Sequence, residues 1–243
     1  MKTVIAGILT ICSFLSLSAQ DFEKKVAPFK RIIASPKINV VLVPGAEESV
    51  KIRYSNIDPS KINVTVRNKT LRIYLDGSRF LEKRVRENHD GITMKRNAYR
   101  HASITAYVTY SALQKLIVRG EQNVDVQGAI VNKKFKLSAY GACQITFDEI
   151  VVSNFKAALY GEHDLKVRGG TVEMLKYKLF GENKIDTQSL RCAEILSSTF
   201  GESRMKVNAE ENLRLRTFGE SQVLVRGGAE VDKFTFGELS VRK

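Results

Sequence analysis

The feature that most constrains this chain is a glycine that returns at a fixed interval through its second half. Gly120, Gly141, Gly161, Gly181, Gly201, Gly219 and Gly237 are separated by 21, 20, 20, 20, 18 and 18 residues. Six of the seven are followed by glutamate, at Glu121, Glu162, Glu182, Glu202, Glu220 and Glu238, with Ala142 the exception. Six are preceded by an aromatic residue, at Tyr140, Tyr160, Phe180, Phe200, Phe218 and Phe236, with Arg119 the exception. Four residues after each glycine the side chain is always apolar: Val124, Ile145, Leu165, Ile185, Met205, Val223 and Val241. Self-similarity at a short fixed period is the mark of stacked repeats.

Between the glycines, apolar residues alternate with period two, as in Phe135/Leu137/Ala139. Alternation means strands. Glycine supplies the corner between them, where φ is positive or two backbones approach closely. A unit of about 20 residues cannot bury its own apolar face, so it must stack on a copy of itself, rung upon rung at about 4.8 Å. The expected fold is all-β, a parallel β-solenoid or β-helix of seven coils over residues 116–243. A leucine-rich repeat has a similar period, but its L-x-x-L-x-L pattern and asparagine ladder are missing.

The first half reads as a divergent β-rich part, residues 20–115, of the same single domain. Segments 29–34, 37–43, 49–54, 61–67, 71–75, 103–110 and 116–118 are rich in β-branched residues and mostly alternate. Turn signals fall at Pro44-Gly45-Ala46, Asp58-Pro59 and Asn68-Lys69. Residues 78–101 break the pattern and are expected to be a long, basic, mobile insertion.

Composition bounds the class. The chain has 243 residues, 43% hydrophobic and 27% charged, which suits a folded globular protein. The N-terminus begins with Met1-Lys2-Thr3, continues with an apolar run from Val4 to Leu17, and ends in small residues at Ser18-Ala19. This reads as a secretory signal peptide over residues 1–19, too short to span a membrane. Lipidation at Cys12 is disfavoured by the bulky Ile11 before it. Removing the signal takes Lys2 with it and lowers the net charge from +13 to +12. No transmembrane segment is expected in the remaining chain. Cys143 and Cys192 remain, two and eleven residues past their glycines and more than two coils apart. Disulfide geometry requires Cα atoms within about 7 Å, so both are expected to be buried free thiols.

Three stretches together resemble the "putative auto-transporter adhesin, head GIN domain" family, common in secreted proteins of Bacteroidetes. They are Phe29-Lys-Arg-Ile-Ile-Ala-Ser-Pro-Lys-Ile-Asn-Val-Val-Leu-Val-Pro-Gly45, Val64-Thr-Val-Arg-Asn-Lys-Thr-Leu-Arg-Ile-Tyr-Leu75, and the run of Gly-x-x-x-apolar coils. The resemblance covers residues 26–243. It implies a right-handed parallel β-helix and no catalytic residues, cofactor or fixed ligand. This chain carries aromatic-Gly-Glu where the family's coils usually read Ser-Gly-Ala-Ser-Asp-Val.

Stacking would turn each repeated position into a column. Tyr140, Tyr160, Phe180, Phe200, Phe218 and Phe236 would form an aromatic one. If strand parity holds, the column faces outward as a binding stripe for a surface or extracellular polysaccharide or an envelope protein. If the glycine corner resets parity, the rings turn inward. Glu162, Glu182, Glu202 and Glu220 would form a neighbouring acidic column. Like charges at that spacing repel by about 0.9 kcal/mol per pair in water, so salt bridges to Lys166, Lys184, Arg204, Lys206 and Arg242 are expected. A calcium site is the alternative, but no aspartate-rich Gly-x-Asp repeat is present, and no metal or cofactor is expected. A second candidate surface for anionic partners is the basic patch Arg79, Lys83, Arg84, Arg86, Lys95, Arg96 and Arg100.

Enzyme signatures are absent from the sequence: with only three histidines there is no Ser-His-Asp order, H-E-x-x-H or phosphate loop. No motif for sequence-specific nucleic-acid binding occurs. The expected function is an exported, non-catalytic binding or adhesion module at the envelope, the cell surface or outside the cell. The alternatives are a carbohydrate-active β-helix enzyme and a periplasmic structural or envelope-stress protein.

Overall fold

The computed structural model describes residues 20–89 and 92–243, so the expected signal segment lies outside the described residues. In chain order the strands are β1 (Gln20–Lys25), β2 (Arg31–Ala34), β3 (Asn39–Pro44), β4 (Ser49–Ser55), β5 (Ile62–Arg67), β6 (Thr70–Leu75), β7 (Arg84–His89), β8 (Ile92–Asn97), β9 (Ser103–Tyr110), β10 (Lys115–Val167), β11 (Gly170–Arg226) and β12 (Glu230–Arg242). A single turn of 3-10 helix, Pro59–Lys61, precedes β5. The lengths of β10 and β11, 53 and 57 residues, have a simple cause. Each is a series of short strands that bend at the repeat glycines, where φ lies between +91° at Gly181 and +125° at Gly161, without leaving the sheet.

The chain is all-β, as expected, but its curled sheet is mixed. Successive coils pair parallel and in register, so that Tyr160, Gly161 and Glu162 lie beside Phe180, Gly181 and Glu182. Phe218, Gly219 and Glu220 lie in the same way beside Phe236, Gly237 and Glu238. The first half joins this stack. β2 and β3 pair parallel with the opening of β10, and Pro36 takes the slot under Gly120 that glycine fills in later coils. β6 and β9 form the next rung outward, parallel to β2 and β3. Antiparallel strands then close this end: β5 on β6, β4 on β9, and β1 on β4.

This placement explains the insertion. The coil made by β6 and β9 lacks a tight corner, and the described residues 76–89 and 92–102 occupy that place. The expected patternless segment is instead an antiparallel hairpin, β7 on β8, from His89↔Ile92 to Arg84↔Asn97. The sequence carried a signal for it in the dipeptide Asp90-Gly91, a pair typical of two-residue hairpins.

The core is a set of apolar columns. Four residues after the corner, Val124, Ile145, Leu165, Ile185, Met205 and Val223 are all buried, and two before it so are Val118, Ala139, Leu159, Leu179 and Thr217. Phe135, Phe147 and Phe155 are fully buried and meet at centroid distances of 5.5 to 6.3 Å. Cys143 and Cys192 are buried free thiols.

Candidate binding face

Strand parity holds through the corner, with the glycine at an inward-facing position. Residues on both sides of each glycine face outward, and the residue two places after it turns in. The aromatic residues therefore point to solvent while the positions one and three before them, such as Leu159 and Ala157, stay in the core. Tyr140, Tyr160, Phe180, Phe200 and Phe218 stack in one column, with centroids 5.1, 4.9, 4.8 and 4.9 Å apart and planes within 9° of parallel. Each such pair contributes about 0.5–1.5 kcal/mol beyond the area it buries. Four of the five residues are exposed, from 37% for Tyr160 to 41% for Phe200, and Phe180 in the middle is half-buried. Their faces cover one another, so the exposed parts are edges.

Both ends of the column are closed. Arg119, the exception to the aromatic rule, lays its guanidinium 5.8 Å from the Tyr140 ring centre and 5.0 Å from that of Phe80. It fills the aromatic slot of its coil with a flat cation. At the other end Phe234 leans on Phe218 at 6.1 Å. Phe236, expected in the column, is instead 77% exposed.

Glu162, Glu182, Glu202 and Glu220 stand exposed on the far side of the corner. The expected compensation is not there: among the described residues none of the four forms an ion pair. Lys184 reaches Asp164 of the preceding coil instead, at 3.2 Å. Free rotation into water keeps the glutamates apart at no cost in bonding. A depression of about 400 Å³ crosses this side, lined by Glu162, Glu182, Glu202, Asp164, Lys184 and Arg204 among others.

Behind the glutamates runs a buried polar column that sequence reading missed: Gln122, Cys143, His163, Asn183, Ser203 and Ser221. The Cys143 backbone N–H donates to His163 Nδ1 at 3.3 Å, and Ser203 and Ser221 share a hydrogen bond of 2.9 Å. Burial pushes the Cys143 thiol up to about 11 and holds the His163 imidazole below its ordinary range. Among the described residues no three His, Cys, Asp or Glu side chains are grouped so as to hold a metal ion.

The basic patch is divided. Arg79 lies over the Tyr74 ring at 5.0 Å, while Arg96 and Arg100 share Glu87, at 3.9 and 2.6 Å. Lys83 packs its stem beside Gly77, and Arg84, Arg86 and Lys95 sit on the hairpin strands. The hairpin root reaches the aromatic column, because Phe80, Arg84, Arg119 and Tyr140 line one depression of about 670 Å³. The two candidate surfaces are thus neighbours.

The family described as "Putative auto-transporter adhesin, head GIN domain" matches residues 28–229. The chain belongs to this family. A structure from Bacteroides fragilis described as a "putative adhesin" superposes with a TM-score of 0.70 at 17% identity, covering 93% of this chain and 98% of the other. A "putative adhesin" from Parabacteroides merdae gives 0.61 at 12%, covering 92% and 95%. A "putative lipid binding protein" from Parabacteroides distasonis gives 0.58 at 12%, covering 91% and 93%. At these identities the likeness establishes the fold. Curated proteins provide no match to this sequence.

Proposed function

We propose that this head GIN chain is an exported, non-catalytic binding module that contacts a surface or extracellular polysaccharide, or another envelope component, through its aromatic-Gly-Glu face. The observation that carries the reading is the solvent-facing column of five stacked rings. A column of this length held open to water is a large apolar feature with a charged rim, the usual form of an interaction surface. The adhesin description of the family supports the same direction. Export is supported by the signal-like N-terminus and by that family description. Among the described residues no helix is long and apolar enough to cross a membrane.

Residues 20–243 are read as one domain, and the coil stack as a right-handed parallel β-helix with antiparallel strands over its N-terminal end. The parallel register between coils supports the helix, and the strong right-handed preference of parallel crossovers supports its hand. The test is a glycan array probed with the chain lacking residues 1–19 and with its Tyr160→Ala/Phe180→Ala/Phe200→Ala variant. Loss of retention with an unchanged β-sheet circular dichroism spectrum is the expected result. Equal retention by both proteins would remove the aromatic face from the reading, and release of cut polymer would replace the module with an enzyme.

A further inference from the structure

The outward positions before each corner form three columns. Four residues before the aromatic slot stands a cation: Lys115, Lys136, Lys156, Lys176 and Arg214, with Leu196 the one break. Between the two columns lie Ser138, Ala158, Lys178, Ser198 and Arg216. Backbone register sets Lys156 beside Lys176 and Ala158 beside Lys178, and the ring stacks carry that alignment through the adjoining coils. The intervening side chains, such as Leu137, Ala157, Tyr177, Leu179 and Leu215, are buried, so all three columns share one side of the sheet.

From Lys136 to Phe218 these columns hold six cations and no acid. The first acid to appear is Asp232 in the last coil, which binds Arg214 at 3.0 Å. Among the described residues none of Lys136, Lys156, Lys176, Lys178 and Arg216 forms an ion pair. The rings add the same sign: with their faces closed they present edges, the positive part of the aromatic quadrupole. The glutamates stand past the glycine, and none of them lines the depression bordered by Lys178, Phe180, Phe200, Arg214, Arg216 and Phe218.

We propose that this face binds a linear acidic polysaccharide laid along the coil axis. Its carboxylates or sulfates meet the lysine columns, and its sugar oxygens meet the ring edges. The proposal rests on the binding-module reading and names its ligand class. The rung spacing of about 4.8 Å is close to the advance per sugar of an extended 1,4-linked chain, so the chain advances about one sugar per rung and its twist turns alternate anionic groups toward the lysine columns. Single-stranded nucleic acid is also a polyanion, but proteins that hold it stack bases on open ring faces. Here Arg119 lies over Tyr140, Phe234 leans against Phe218 at a tilt, and the rings between cover each other.

The test uses the chain lacking residues 1–19 and three probes: polygalacturonate, neutral dextran and a thymidine oligonucleotide. Lys136→Gln/Lys156→Gln/Lys176→Gln is compared with Lys166→Gln/Lys184→Gln/Lys206→Gln, which removes the same charge from the other side of the corner. Polygalacturonate binding is expected to weaken at least about tenfold in the first variant and less than about threefold in the second, with dextran not bound. Equal losses, no polygalacturonate binding by the wild type, or tighter binding of the oligonucleotide would each overturn the proposal. Retention of dextran, or of neutral glycans on the array, with loss only in the aromatic variant would overturn the acidic ligand and leave the binding module standing. Silence toward every probe and every arrayed glycan would count against both.

Discussion

A β-carbon built on Gly161 would lie 2.0 Å from the carbonyl oxygen of Gly141, the corner residue of the coil before it. With φ at +125°, Gly161 also holds a conformation that side chains resist. Each corner thus rests on the backbone of the one beneath. Gly161→Ala is expected to cost about 2–4 kcal/mol, the combined effect of strain and a backbone shift. Gly169→Ala is the control, since its nearest atom would be 3.7 Å away, and it should stay within about 0.5 kcal/mol of wild type. Urea unfolding midpoints measure both.

The aromatic column gives a graded prediction. Phe180 sits between Tyr160 and Phe200, so Phe180→Ala breaks two stacks and should cost about 2–3 kcal/mol. Phe236 is 77% exposed and outside the stack, so Phe236→Ala should change stability by less than about 0.5 kcal/mol. Equal shifts in the two unfolding curves would show that the column carries no stacking energy.

The repeat was legible because a close backbone approach admits only glycine, and a buried rung admits only apolar side chains. Gly161 and Leu165 are therefore written plainly in the chain. The coil holding β2 and β3 was not, because Pro36 takes the corner slot and satisfies the geometry with a different residue. Alternation by itself pointed Tyr160 and Phe180 outward, as the structure has them; what the sequence left open was whether a glycine with positive φ would reset that parity. The lysine column at Lys136, Lys156 and Lys176 was present at a constant offset. It escaped notice because lysine is common on any solvated strand face.

The thiols provide a test of the interior. Burial raises Cys143 to about 11 and Cys192 to about 12. The thiolate is the nucleophile, so neither should react in the folded protein near pH 8. Both should be labelled by a thiol reagent at the urea concentration where β-sheet signal is lost. Labelling of one thiol well before that point would reveal local opening of its coil.

His163 makes the fold sensitive to acid. It is buried, it accepts from the Cys143 N–H, and burial lowers its affinity for protons below that of an unfolded histidine. Protonation would set two donors against each other at Nδ1. The unfolded chain takes up this proton as pH falls through about 6.5 while the folded chain resists it. Stability from this group is thus full above that pH and declines below it, until the folded group itself is protonated. His163→Asn places in this coil the side chain that Asn183 supplies in the next. Between about pH 7.5 and pH 5 the wild type should lose more stability than the variant. Urea midpoints that fall in parallel for the two proteins across that range would show that His163 carries no part of the acid response.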